Sequence, residues 1–447
     1  MLKVLFLTFE FNPVQTTGNF RPAKFVKYLR DFGIDPIVIC GDEKSILQYY
    51  ISGKLSPALA KEIPDEIEVN RIPFSKPYKP KSKYSQFLYY SDPLYKHWSR
   101  NVYPVVDKIL ENDKQIRAVI VTVPPFSIGT IARKIAAKHK LPLIVDLRDA
   151  WSDQGQFPYF TRLHYYINRI FEKRLLKRAD AIVAVTKELA NIYEHSNPEL
   201  NKDKFEIVYN NFDNYKFEAG QKIEGVSVTS VPKYIIGYIG SFYYTTEAET
   251  LKKTSWWKRK GPRKLFYYPV KEEWIYRSPY FLFKSLNLIF KKHPELRSKI
   301  FFGHIGHTPS WMQNMAKEFG IEKNIINYGF TDAGEVRKLA ENFNAMLITT
   351  EKIDGNKSFC LPSKTFDYVK YNRPILALVK NGDLKDFLNK GGMSVVIDPD
   401  NLDDEIGVLE EFLLKGKTFF PDGNYINKFH SKEQTHLLAD IIRKVVK

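Results

Sequence analysis

Short apolar runs alternate with segments of helical spacing along this chain, and the alternation happens twice. KVLFLTF, DPIVICG, RAVIVTV (117–123), LPLIVDLRD, ADAIVAVT (179–186) and KFEIVYNN (204–211) are the first set. Between them, FRPAKFVKYLRDFG places Phe25, Leu29 and Phe32 at helical spacing and ends at Gly33. A second helix is expected from Ser127 to His139, with Ser127 as its N-cap. Runs that are apolar throughout belong to strands buried on both faces, hence to a parallel sheet covered by helices. The fold class is therefore α/β.

Residues 214–233 are polar and read as a linker. After them the rhythm restarts. YIIGYIGS, KIFFGHIG, NIINYGF, AMLITT, RPILALV and MSVVIDPD are strands, and SPYFLFKSLNLIFKKHP and SKTFDYVKY are helices. A chain of 447 residues is too long for one ordinary core. The boundaries are expected at 1–215 for a first domain and 216–430 for a second. A closing helix over 431–447 should pack back on the first domain. Residues 45–102 and 244–276 break the rhythm and read as ordered or part-ordered insertions. The second is basic and aromatic; Trp256 and Trp257 beside Lys258, Arg259 and Lys260 read equally as a membrane-surface patch or a packing lid.

The formal net charge is +17, which favours anionic partners without choosing among them. No nucleic-acid module signature accompanies it. No GxGxxG follows any strand, which argues against a dinucleotide-binding dehydrogenase. The two cysteines, Cys40 and Cys360, read as buried reduced thiols, and no Cys/His cluster has zinc spacing. Asp398-Pro399-Asp400 reads as a turn, not a metal site. Of His304 and His307, one should line a cleft and one lie exposed. The opening MLKVLFLTFEF is too short for a secretion signal, and no stretch reaches about 18 apolar residues, so a soluble cytoplasmic protein is expected.

The densest candidate site is LPSKTFDYVKYNRPILAL, 361–378. Pro362 and Ser363 open a helix, and Lys364 lies in its first turn. A lysine there opposes the helix dipole unless an anion is bound, and free N–H groups with an ammonium suit a diphosphate. Asp367 lies one turn on. This segment resembles the donor-binding stretch of the retaining glycosyltransferase family four, of GT-B fold, in its bacterial surface-polysaccharide form. EFNPVQTTGNFRPAKFVKYL is similar to that family's first glycine loop and helix. VPPFSIGTIARKIAAKHKLPLIVDLRDAW, RADAIVAVT, IVYNNFD, YIGS and YRSPYFLFKSL also match, in order.

The resemblance implies two facing Rossmann-like domains with a cleft between them, and transfer of a sugar from a nucleotide diphosphate donor, by default a UDP-sugar. The acceptor would be a lipid-linked or nascent cell-surface glycan, with retention, without a metal and without a cofactor. Arg277 and Lys364 would hold the donor diphosphate and Asp367 the ribose. Tyr328, Gly329 and Phe330 would pack on the base, Ser363 would join the phosphate site, and Gly18 would approach it from the first domain. Asp146, Arg148 and Asp149 would face the transferred sugar, with Asp149 a candidate for assisting the chemistry. Contact with an anionic membrane is a further expectation, and nucleic acid is not expected as a partner. One departure stands out: many members carry two Glu residues with seven between, and here the first is Phe359, with Glu351 and Asp354 in the loop before it. A nucleotide-sugar epimerase of the same fold and an inactive scaffold are the alternatives.

Overall fold

The computed structural model describes residues 1–50, 52–76, 94–218, 220–331, 333–355 and 357–447. The chain divides into two compact units. The first comprises Met1–Asp213, Leu265–Pro269 and Phe429–Lys447; the second comprises Asn214–Lys264 and Val270–Lys428.

The first unit is built on a seven-stranded sheet. Its strands are β1 (Leu2–Leu7), β2 (Ile34–Gly41), β3 (Val69–Ile72), β4 (Ile116–Val123), β5 (Leu143–Leu147), β6 (Ala181–Ala184) and β7 (Phe205–Ile207). They lie in the order β3-β2-β1-β4-β5-β6-β7, every pair parallel. β1, β4 and β5 are almost wholly buried, as their unbroken apolar runs require. Helix α1 (Phe20–Leu29) lays Phe25, Val26 and Leu29 on the sheet, and the C-terminal helix Ser431–Val446 adds Leu438, Ala439 and Ile442 to that cluster.

Three readings change here. β3 lies inside residues 45–102, so that stretch supplies an edge strand of the sheet and is not wholly an insertion; residues 77–93 of it fall outside the described residues. The helix Ser127–Lys138 has Phe126, not Ser127, at its N-cap position, with no side-chain cap bond. Arg21 and Asp146 face inward and pair. The Arg21 Nη2–Asp146 Oδ1 distance is 2.7 Å, with side chains 5% and 1% exposed. Arg21 also donates to the carbonyls of Val208 and Tyr209, and Thr122 donates to Asp146. A carboxylate so enclosed holds α1 against the ends of β4, β5 and β7, and has no free edge for a sugar.

The second unit repeats the arrangement with six parallel strands. These are β8 (Tyr234–Ile239), β9 (Ile300–Ile305), β10 (Ile325–Gly329), β11 (Ala345–Thr349), β12 (Ile375–Leu378) and β13 (Ser394–Ile397), in the order β10-β9-β8-β11-β12-β13. The expected linker is part of this unit: Ile223–Gly225 pairs antiparallel with Lys417–Phe419. In each sheet the strand order reverses beside the first strand, between β1 and β4 and between β8 and β11. Ligands of such sheets bind outside the carboxyl ends at that reversal.

Replacing Arg21 with Met would leave Asp146 buried without its countercharge. The variant is expected to lose about 3–5 kcal/mol of stability in the first unit, read as an earlier urea transition.

Candidate functional site

In the second unit the loops at the strand ends gather the predicted donor residues. The 3₁₀ turn Trp274–Arg277 precedes the helix Tyr280–Lys292 and presents Arg277. Its Nε lies 2.6 Å from Glu272 Oε1, and its Nη2 lies 3.4 Å from Glu351 Oε2. Glu272 arrives on a two-residue strand, Glu272–Glu273, paired antiparallel with Lys352–Ile353. That ribbon sets both carboxylates against one guanidinium. Burial works against the charge on Arg277, but Glu351 and Glu272 outweigh it and hold the guanidinium more firmly protonated than usual. Glu351 follows β11 and is fully buried. Its Oε1 accepts from Ser358 Oγ at 2.8 Å and from the Cys360 amide at 3.0 Å, which ties down the loop leading to Lys364.

The helix Ser363–Val369 is seven residues long, with Pro362 at its cap position and no side-chain cap. So short a helix adds little dipole, and the positive charge at this place comes chiefly from side chains. Lys364 Nζ donates to Tyr238 Oη at 2.6 Å and lies 4.1 Å from the centre of that ring. Among the described residues it has no ion pair. Burial therefore pulls its pKa down to about 8, outweighing attraction from Tyr243, Cys360 and Asp367, with a smaller downward push from nearby Arg277. The site thus holds one cation matched by carboxylates and a second with an aromatic hydroxyl alone.

Gly240, at the end of β8, has φ +108° and leaves room for the ammonium; a Cβ there would stand 3.3 Å from Lys364 Nζ. His304 fixes this loop. It is wholly buried, its Nε2 donates to the Gly240 carbonyl at 2.8 Å, and burial lowers its pKa, consistent with a neutral ring. His307 is exposed. Tyr328, Gly329 and Phe330 end β10; Tyr328 packs near Phe343, Gly329 takes φ +76°, and Phe330 is 69% exposed. Ser363 is exposed. Asp367 is also exposed and pairs with Lys370 at 2.9 Å. Phe359 is half-buried.

Asp398 and Asp400 are engaged by Lys380, and Asp400 also by Lys352 and the Tyr276 hydroxyl, so they brace a turn. Among the described residues no group of three His, Cys, Asp or Glu side chains could hold a metal ion. Both cysteines are free thiols; Cys40 is buried, whereas Cys360 is only half-buried.

In the first unit, Gly18 sits where a side chain would strike Glu10 and Arg148. Its amide donates to Glu10 Oε2 at 3.2 Å, its carbonyl accepts from Arg148, and Tyr50 Oη donates to Glu10 Oε1 at 2.9 Å. Arg148 thus pairs with Glu10, at 3.3 Å, and braces the glycine loop. Asp149 has an exposed side chain, and its carbonyl accepts from Tyr193.

Sequence reasoning missed Glu272, Tyr238 and Glu10. Glu10 and Glu351 carry a readable signal, since each is an acid just past an apolar strand. Glu272 carries none, because its role depends on how residues 244–276 fold back.

Residues 23–214 match the family model described as Glycosyltransferase Family 4. No curated protein sequence matches the chain significantly. Among solved structures, a lipopolysaccharide outer core galactosyltransferase, WaaB, in its apo form is similar at 14% identity, with 99% of each chain covered and a TM-score of 0.53. HepE of Anabaena in complex with UDP and glucose is similar at 11% identity, over 99% of this chain and 100% of that one, with a TM-score of 0.52. A TarM mutant of S. aureus in complex with Fondaparinux, α-GlcNAc-glycerol and UDP is similar at 12% identity, over 100% and 97%, with a TM-score of 0.51.

A lysine whose folded pKa lies near 8 costs the ligand-free fold stability wherever it must stay charged, and that cost fades as pH rises from about 8 toward 10.5. Ligand-free Lys364→Met is therefore expected to melt no lower than wild type at pH 7, with any advantage shrinking toward pH 10. A clear drop in melting temperature at pH 7 would contradict this account of Lys364. The two parallel sheets thus give the chain the GT-B fold of these structures, and the stretch that matches the Glycosyltransferase Family 4 model, residues 23–214, ends one residue past the Met1–Asp213 segment of the first unit.

Proposed function

We propose that the chain transfers a sugar from a nucleotide diphosphate donor, by default a UDP-sugar, to a lipid-linked or nascent cell-surface glycan, with retention and without a metal ion. The observation that carries this is Lys364: a desolvated ammonium near the half-buried Arg277, with no ion pair of its own among the described residues. A diphosphate supplies the missing negative charge. In the reaction the bond from the sugar's anomeric carbon to the phosphate oxygen breaks and charge develops on the diphosphate. Arg277 and Lys364 stabilise that charge where it forms. The acceptor hydroxyl attacks from the same face, and its proton passes to the departing phosphate oxygen, or to Asp149 if that carboxylate assists. Tyr328, Gly329 and Phe330 would pack on the base and Asp367 on the ribose. Ser363 and Gly18 would complete the phosphate contacts.

The acceptor class draws support from neighbours of the same fold, one a lipopolysaccharide galactosyltransferase and another bound to UDP and α-GlcNAc-glycerol. A lipid-linked acceptor places the enzyme in the cytoplasm and at the inner face of the plasma membrane. Among the described residues no helix is long and apolar enough to cross a membrane, so contact with it would be peripheral.

Thermal melting with UDP, GDP, ADP and CDP, each with and without EDTA, tests the donor site. A ligand at about 100 times its dissociation constant adds about 2.7 kcal/mol, a rise of about 5 °C or more in a unit of this size. The expected result is stabilisation by UDP that survives EDTA and disappears in Lys364→Ala and Arg277→Ala. No response to any of the four nucleotides would overturn the reading.

A further inference from the structure

The first unit exposes an apolar stripe that no part of the proposed transfer uses. It lies on the helix Arg162–Arg178. His164, Glu172, Leu175 and Leu176 are the residues that this helix buries. Leu163, Tyr166 and Ile170 remain 55%, 58% and 48% exposed. Their spacing of three and four puts them on one helical face. Along the same line the stripe continues into Arg174 and Lys177, both exposed. The helix carries six basic residues and one acid, Glu172, whose buried carboxylate is taken up by Arg169 and the Ser152 amide. Its exposed charge is therefore positive, although Lys173 and Lys177 lie within 4 Å of Glu199.

The neighbouring backbone extends the stripe. Phe157, in the loop before the helix, is 58% exposed. Leu265 is 55% exposed and opens the short segment Leu265–Pro269 that belongs to this unit. That segment is anchored there: Tyr159 and Tyr267 exchange backbone hydrogen bonds of 2.8 and 2.9 Å, and Tyr165 packs on Tyr267. Immediately before it in the chain come Trp256 and Trp257, 62% and 60% exposed, and the basic run KRKGPRK.

We propose that this face of the Arg162–Arg178 helix docks on an anionic lipid surface, with Leu163, Tyr166 and Ile170 entering the headgroup boundary and Arg174 and Lys177 on lipid phosphates. The proposal deepens the membrane-side reading above and rests on it. Aliphatic and aromatic side chains beside cations, on a helix lying along the surface, are what an interfacial helix needs. Tyr and Trp favour the headgroup level, and each Lys or Arg near an anionic leaflet adds attraction. A second copy of this chain fits less well, because it would bring like-charged faces of a +17 protein together.

Flotation of the full chain with vesicles tests this, using phosphatidylcholine alone and phosphatidylcholine mixed with phosphatidylglycerol. Wild type is expected to float with the mixed vesicles and not with phosphatidylcholine alone. The triple variant Leu163→Ser, Tyr166→Ser, Ile170→Ser should bind about tenfold or more weakly. Arg174→Gln with Lys177→Gln should also weaken binding, by roughly fivefold per charge and so about 25-fold for the pair. All five positions are exposed, so melting temperatures should not move; if the triple variant does melt early, the charge variant carries the test. Wild type that stays off the mixed vesicles, or variants that bind as tightly as wild type, would overturn the proposal. So would a triple variant that only converts a dimer to a monomer in sedimentation. UDP stabilisation measured on the same samples separates the two readings: a protein that responds to UDP yet ignores vesicles loses this surface and keeps its donor site.

Discussion

Parallel strands all end on the same side, and that constraint orders each unit of this protein. Every crossover carries the chain back to the amino ends of the strands, so the loops at the carboxyl ends carry whatever the helices and strands do not use. Both sheets have their first strand beside the point where the order reverses. Glu10 and the Gly18 loop leave β1 there in one unit. Gly240 leaves β8 and Glu351 leaves β11 there in the other. Within the second unit the topology gives these loops one exit, although Arg277 and Lys364 stand 87 positions apart in sequence.

Within the second unit the two cations are treated unequally. Arg277 is neutralised by Glu272 and Glu351 before any ligand arrives, so it is oriented but attracts an anion weakly. Lys364 is oriented by Tyr238 and keeps its attraction. Two unmatched cations in so enclosed a place would repel each other and destabilise the loop; two matched ones would repel a phosphate. One of each gives a site that folds empty and still favours an anion.

Much of this was legible in the residues. Apolar runs marked the sheets of both units because strands buried on both faces have no polar positions to confuse the pattern. Lys364 was legible because a lysine in a first helical turn is locally unfavourable. Other features were hidden for physical reasons. Val69–Ile72 is an edge strand, short and half-buried, so it carries no apolar run. Asp146 looked like a sugar-facing acid, since nothing local tells that it closes into an ion pair with Arg21, 125 residues away. Glu272 acts through a two-residue ribbon inside an insertion, below the length at which periodicity can be read.

The phenylalanine at position 359 sharpens the chemistry. An acid there would lie in the loop between Glu351 and Lys364, a region that already holds two carboxylates against one guanidinium. Glu351 does not take its place as a sugar ligand: it is fully buried, and its Oε1 is occupied by Ser358 and Cys360. Its work is to set the loop that delivers Lys364 and to align Arg277. A half-buried aromatic ring stands at 359 instead, so the loop carries no acid at that position. Under the proposed transfer, discrimination among sugars would fall to groups that can hydrogen-bond hydroxyls, and Asp149, exposed just past the carboxyl end of β5, would be one such acid.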